Sequence, residues 1–207
     1  MGRSVNSFAR GPSRYRPQPT VLVLCEDSKS SKNYLEDAKL HFRCHVDVKI
    51  AHCGNTDPIG IVREAIHQLK SFDLVFCVID RDTHESFDEA IALAKTAPKV
   101  TIISSYPCFE FWYFLHFGYN RKPFAAAGNK SAGDHVVIAL QACEGMSKYA
   151  KGGEKSVFGM LLPRLDNARQ VAPRVLDHAL REGNLNPSTQ VHILIDCFEQ
   201  LGAPQPK

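Results

Sequence analysis

Acidic side chains follow two apolar segments of the sequence, at the point where each segment ends. Glu26 comes directly after Thr20–Cys25, and Asp80 and Asp82 come directly after Leu74–Ile79. Since Asp80 and Asp82 are two positions apart, an extended backbone points both side chains the same way. Clustered carboxylates repel one another unless a cation compensates their charge. Mg²⁺ or Mn²⁺, which prefer oxygen ligands, would compensate it and could polarise a phosphoryl oxygen.

Four further residues are weaker candidates for substrate contacts. Lys29 and Lys32 lie in a polar stretch after the first apolar segment and could face a phosphate, but the stretch lacks the glycines of a nucleotide-binding P-loop. Asn55 belongs to either a tight turn or a substrate contact, and the turn is favoured. The side chain of Arg81 should point away from the two aspartates that flank it.

Each acidic candidate also has a purely structural interpretation. A glutamate at a strand end is commonly a surface residue or a helix cap, and an Asp-x-Asp pair is commonly a turn device. Glu110 lies in an aromatic run past the fourth apolar segment, so it either contacts the site or is a buried, paired acid. Carboxylates at corresponding ends of successive strands favour the metal-binding interpretation.

Apolar strands and amphipathic helices alternate four times in the first half of the chain. This pattern predicts right-handed β-α-β units and a parallel sheet of about four strands with flanking helices. Ligands bind such sheets at the carboxyl ends of the strands, where strand order reverses. The predicted strands are Thr20–Cys25, Val46–Ala51, Leu74–Ile79 and Val100–Ser104.

The second half of the chain predicts mainly helices. An aromatic helix, mostly buried, is expected over Cys108–Phe117, and a turn is expected over Asn184–Thr189 before a last amphipathic helix. Between them the pattern predicts helices over Ala132–Cys143 and over Val157–Arg181, the latter interrupted at Pro163 and Pro173. We therefore predict a basic N-terminal tail (1–19), an α/β core (20–118) and a helical C-terminal extension packed on that core (119–207).

The composition of the chain restricts the classes of protein to which it can belong. The 207 residues suffice for one well-buried core, and no apolar run approaches the roughly 20 residues that span a bilayer. Seven cysteines, an odd number with several in apolar runs, favour reduced thiols and a cytoplasmic location. The net charge is only +3, and the basic tail is either a phosphate-binding arm or a solvated tail. The His and Cys spacing matches no zinc finger, and no serine-hydrolase elbow is present.

Several separated motifs, taken in order, resemble the RloB family. They are Val23–Glu26 with Asn33–Tyr34, Val78–Asp82, Tyr106–Trp112 with Leu115–Phe117, Leu162–Leu165, and Asn186–Thr189 before Val191–His192. The resemblance extends over nearly the whole chain outside the basic tail. It implies a divergent Toprim-like fold found among anti-phage defence proteins, often beside an ABC-type ATPase.

The resemblance also implies roles for particular residues. Glu26 would be the acid–base or metal-facing glutamate, Asp80 and Asp82 would be metal ligands, and Glu110 would be the additional acid of the family. Many relatives place glycine directly after the first acid, whereas this chain has Asp27, which could crowd a phosphate or add a ligand.

The first hypothesis is therefore an Mg²⁺- or Mn²⁺-dependent nuclease of anti-phage defence and abortive infection. It would cleave RNA, transfer RNA included, more readily than DNA, and it would bind no membrane. Lys29, Lys32, Asn55 and Arg81 would contact the substrate. The alternative is a non-enzymatic partner or regulator of a defence ATPase, or a homo-oligomer, whose acids bind a structural metal or none. The helical second half of the chain, larger than a minimal Toprim domain needs, favours that alternative.

Overall fold

A computed structural model describes residues 19–44, 48–52, 54, 57–81, 84–153 and 156–203. Five strands form one sheet in the order β2-β1-β3-β4-β5. The first four strands are parallel, and β5 is antiparallel to β4. The strands are β1 (Val21–Cys25), β2 (Val48–His52), β3 (Leu74–Asp80), β4 (Val100–Tyr106) and β5 (Ser188–Thr189).

Three helices connect the parallel strands. They are α1 (Ser30–His41), α2 (Pro58–Gln68) and α3 (Phe87–Ala94). Asp57 caps α2, because its carboxylate accepts a hydrogen bond from the Gly60 amide at 3.2 Å, and Pro58 is the first helical residue, a pattern that the sequence already indicates. The chain order places the reversal of strand order between β1 and β3, which brings the ends of these two strands to a shared crevice.

Five more helices follow the parallel strands. They are α4 (Glu110–Leu115), α5 (Ala132–Gln141), α6 (Phe158–Leu161), α7 (Leu165–Glu182) and α8 (Val191–Gly202). The predicted break at Pro163 is confirmed, since a single 3₁₀ turn over Leu162–Arg164 separates α6 from α7. The predicted break at Pro173 is wrong, because α7 continues through that residue. The helix bounds elsewhere agree with the predicted segments to within a few residues.

The two faces of the sheet carry separate hydrophobic clusters. Side chains of α2 and α3 pack on one face against Leu22, Leu24 and Val75. On the other face, side chains of α1, α4, α7 and α8 share one cluster with Val21 and Val23. The second half of the chain therefore contributes directly to the core beneath the sheet.

The six described cysteines are free thiols.

The β5 strand corrects one detail of the sequence-based prediction. Ser188 and Thr189 lie in the segment expected to be a turn, yet they pair with β4. The Ser105 and Thr189 hydroxyls are 2.8 Å apart, and the Gln190 amide donates to the Ser104 carbonyl at 2.9 Å. A two-residue strand is too short to give a period-two pattern, so the sequence carries no signal for it.

Candidate active site

The acids predicted at strand ends meet in one pocket at the carboxyl ends of β1 and β3. The pocket has a volume of about 180 Å³. We call it the acidic pocket, and its walls include Glu26, Asp27, Ser30, Asp80, Glu110 and Lys151. Four carboxylates thus share a single small space with one lysine: two from the loop after β1, one from the end of β3 and one from the start of α4.

Register explains why Glu26 and Asp80 meet. Cys25, the last residue of β1, is level with Val78, and β3 runs on to Asp80. The Glu26 amide donates to the Val78 carbonyl at 3.1 Å, and the Glu26 side chain turns back to accept from the Asp80 amide at 2.8 Å. The Glu26 carboxylate is therefore fixed in position by the strand that carries Asp80.

Glu26 has a second partner that the sequence did not reveal. Its other carboxylate oxygen lies 3.0 Å from Nε2 of His84. Burial raises the pKa of Glu26 above its ordinary value, while the Asp80 amide and His84 act in the opposite direction. A carboxylate with a raised pKa that is held in a fixed orientation is a better proton acceptor than an ordinary carboxylate.

The ionised form of Asp80 is disfavoured in the pocket. Burial raises its pKa well above the ordinary value, and the neighbouring carboxylates of Glu110 and Glu26 raise it further. Lys151 acts in the opposite direction. Since its neighbours are acids, ionised Asp80 is stabilised wherever a cation enters the pocket.

Glu110 is both a buried acid and a wall of the pocket, so the two interpretations offered for it are compatible. Its side chain is fully buried, and one oxygen accepts a hydrogen bond from the Tyr149 hydroxyl at 2.9 Å. The other oxygen has no hydrogen-bond partner among the described residues, and the Lys151 ammonium is 3.8 Å away. A buried carboxylate oxygen left in this state calls for a cation or a donor supplied by a ligand.

Asp27 has a structural role in the loop that leads into α1. Its carboxylate accepts hydrogen bonds from the amides of Lys29, at 2.8 Å, and Ser31, at 2.9 Å, and also from the Ser31 hydroxyl. These bonds turn the chain from β1 into the helix and satisfy amides at its start. The Asp27 side chain is therefore held by its own loop while it also lines the acidic pocket.

The predicted substrate residues do not all reach the pocket. Lys29 is exposed and lines a neighbouring cavity, and Lys32 is not among the lining residues of either space. Arg81 donates to the His84 carbonyl at 3.2 Å and stacks over Phe87, so its side chain turns toward α3. Asp82 and Asn55 lie outside the described residues, and their roles stay predictions.

Three functional candidates were absent from the sequence-based list: His84, Tyr149 and Lys151. Tyr149 and Lys151 come from the loop after α5, which has no periodic pattern and lies far from the strand ends in sequence. The Lys151-Gly152-Gly153 run was the available signal for a loop that approaches a ligand closely. His84 lies four residues after Asp80 and could have been suspected from that spacing alone.

The donor set fits a divalent cation that keeps part of its water shell. Among the residues that the structure describes, no three His, Cys, Asp or Glu side chains form a group that could hold a metal ion. Mg²⁺ characteristically uses one or two carboxylates and fills its other positions with waters and substrate phosphate oxygens. Asp80 and the Glu110 oxygen that has no hydrogen-bond partner among the described residues suit such an open site. One oxygen of Glu26 already accepts from the Asp80 amide, and the other lies 3.0 Å from His84.

Fold and pocket together define an α/β protein with clustered carboxylates at the point where strand order reverses. The family model described as "RloB-like protein" matches residues 21–197, and the chain belongs to that family. No curated protein matches the chain, and no solved structure matches it. Within the described residues, no helix is both long enough and apolar enough to cross a membrane.

Proposed function

We propose that this chain is a metal-dependent nuclease that hydrolyses phosphodiester bonds at the acidic pocket. The observation that carries the proposal is the convergence of Glu26, Asp80 and Glu110 with Lys151 in one pocket at the strand ends. Carboxylates that repel one another beside a lysine suit a divalent cation and an anionic substrate together. The action in anti-phage defence, and an ATPase partner, are parts of the proposal that rest on the family resemblance.

Each residue of the pocket has a defined task in this proposal. Asp80 and Glu110 would hold Mg²⁺ or Mn²⁺, with Asp82 as the further ligand expected from the sequence. When bound, such an ion polarises a phosphoryl oxygen and lowers the pKa of a nearby water. Lys151, whose side chain is half exposed, would bind a phosphate oxygen of the substrate.

Glu26 is better suited to moving a proton than to binding the ion. Burial raises its pKa, and the Asp80 amide and His84 hold its two oxygens in place. Glu26 would take a proton from the attacking water as the water oxygen bonds to phosphorus. The ester P–O bond then breaks, and the leaving oxygen takes a proton from solvent.

Cleavage of defined substrates tests the proposal and identifies the substrate class. Total cellular RNA, purified transfer RNA and plasmid DNA are incubated with the protein in Mg²⁺, in Mn²⁺ and in EDTA, beside the Asp80→Ala/Asp82→Ala double variant. We expect metal-dependent cleavage, with RNA preferred, that the double variant lacks. A folded double variant that cleaves as the wild type does would overturn the proposal. Absence of cleavage, with acid-site variants that keep full biological activity, would favour a non-enzymatic regulator.

A further inference from the structure

A second cavity adjoins the acidic pocket and is more than twice its size. Its volume is about 450 Å³, which lies within the usual range of about 300–1,000 Å³ for ligand sites. We call it the side cavity, and its walls include Lys29, Tyr113, Met146, Lys148, Tyr149 and Met160. The acidic pocket is too small for a nucleotide, so any substrate there must extend into a neighbouring space.

The two spaces share a wall. Ser30 lines both of them. Tyr149 lines the side cavity, while its hydroxyl donates to Glu110 at 2.9 Å and lies 3.5 Å from the Ser30 hydroxyl. The Gly152 amide also donates to the Ser30 hydroxyl, at 3.2 Å. A phosphate held beside Glu110 would therefore lie on one side of Tyr149, with the side cavity on the other.

The chemistry of the side cavity suits a nucleoside with its phosphates. Tyr149, which is partly exposed, and Met160, which is 55% exposed, supply apolar surface, and bases stack on such surfaces whatever their sequence; Tyr113 and Met146 are buried behind them. Lys29 and Lys148 supply positive charge, and the described lining residues include no Asp or Glu. Cationic side chains around an aromatic cavity match a base attached to a phosphate backbone better than they match an apolar or a basic ligand.

From this shared wall and this chemistry we infer that the side cavity binds the base of an unpaired nucleotide next to the scissile phosphate. The inference rests on the proposed function and makes it more specific. A base that is paired within a duplex cannot enter a side cavity unless it leaves the stack. The substrate class is therefore single-stranded nucleic acid, such as a loop or an end, and not a regular duplex.

Binding measured without cleavage tests this inference. Fluorescence anisotropy in EDTA compares three labelled probes: a 12-nucleotide single-stranded RNA, the DNA of the same sequence and the corresponding RNA duplex. Twelve nucleotides is about the length of one binding site for single-stranded nucleic acid. We expect at least one single strand to bind about tenfold or more tightly than the duplex, because the stacking of one base contributes about that much to affinity. Equal or tighter binding of the duplex would overturn the inference.

Two substitutions of similar exposure provide a matched comparison. Met160, at the cavity, is 55% exposed and Leu40, on α1 outside the cavity lining, is 59% exposed. Met160→Glu should weaken single-strand binding about tenfold or more, because it places a negative charge where the base and its phosphate bind. Leu40→Glu should change affinity less than about twofold, within the usual range for a surface substitution. Equal effects of the two substitutions would contradict the inference.

Failure of the inference can be distinguished from failure of the nuclease proposal. The protein could bind single strands selectively, in a way that depends on Met160, and yet cleave nothing with Mg²⁺. That result would support the side cavity as a base site and contradict the nuclease proposal. If cleavage depends on the metal but Met160→Glu changes neither its rate nor its strand preference, the nuclease proposal would be supported and the base site would be contradicted.

Discussion

Asp80 illustrates, at the scale of one residue, a conflict between stability and function. Its folded-state pKa is well above the ordinary 3.8 that it has in the unfolded chain, so the folded state binds more protons. The contribution of this group to stability is therefore present at low pH and is lost as the pH rises through the raised pKa. At neutral pH the raised pKa of Asp80 therefore costs stability.

Asp80→Asn should therefore stabilise the protein at pH 7 in the absence of divalent cations. The substitution removes an acid whose ionised form is disfavoured by burial and by its neighbouring carboxylates, and it nearly keeps the shape of the side chain, for a gain of about 1–2 kcal/mol. Urea unfolding with EDTA measures the effect. Added Mg²⁺ should raise the stability of the wild type and leave the variant nearly unchanged. A variant less stable than the wild type in EDTA would contradict this account.

The pKa of His116 is shifted in the direction opposite to that of Asp80. Burial lowers its pKa from the ordinary 6.5 to about 4. Nδ1 donates to the Trp112 carbonyl at 3.0 Å, and Nε2 lies 3.4 Å from the Tyr34 hydroxyl. Because the unfolded chain takes up this proton first, stability is full above about pH 6.5 and falls as the pH decreases toward 4.

Replacing His116 with Gln should remove this component of the acid sensitivity. Between pH 7.5 and 4.5 the wild type should lose about 2–3 kcal/mol more stability than the variant, since each pKa unit corresponds to about 1.4 kcal/mol. Urea titrations at several pH values provide the measurement. Parallel pH profiles for the two proteins would show that His116 does not titrate in this way.

At the scale of elements, the end of α8 packs against the turn after α1. A Cβ at Gly202 would lie 1.8 Å from the Phe42 carbonyl oxygen, whereas a Cβ at Gly159 in α6 would meet nothing within 4 Å. Backbone atoms cannot move aside as the end of a flexible side chain can. Gly202 is thus required by close approach of two elements, and Gly159 is not.

Alanine substitution at the two helical glycines should consequently have opposite effects. Gly202→Ala should destabilise the protein by about 2 kcal/mol or more, as overpacking does, although alanine is the better helix former. Gly159→Ala should be neutral or stabilising by up to about 1 kcal/mol. Thermal unfolding of both variants decides the matter, and a Gly202→Ala protein as stable as the wild type would refute the packing argument.

The sequence predicted the elements that have strong periodicity and missed what depends on distant contacts. The parallel strands and the capped start of α2 follow from local pattern, and Glu26 and Asp80 followed from strand ends. Pro173 was expected to end a helix, but tertiary packing of α7 overrides that local preference. Tyr149 and Lys151 belong to an aperiodic loop, so only the folded chain shows that they reach Glu110.

At the scale of the whole molecule, the helical second half completes both the core and the pocket. Side chains of α7 and α8 share a hydrophobic cluster with β1, and Tyr149 and Lys151 approach Glu110. A chain cut after Gly118 should therefore expose much of this cluster and fail to unfold cooperatively. Circular dichroism melts measure this, and a sharp, reversible transition in the shortened chain would contradict it.

The most direct test of the central claim is the rate at which Asp80→Asn cleaves single-stranded RNA at saturating Mg²⁺. We expect a variant at least as stable as the wild type, with cleavage reduced about 100- to 1,000-fold, which is the usual effect of losing one electrostatic catalytic group. Because the variant stays folded, that loss could not be attributed to unfolding. A wild type that cleaves with Mg²⁺ while Asp80→Asn cleaves at the same rate would contradict a role for the acidic pocket in catalysis.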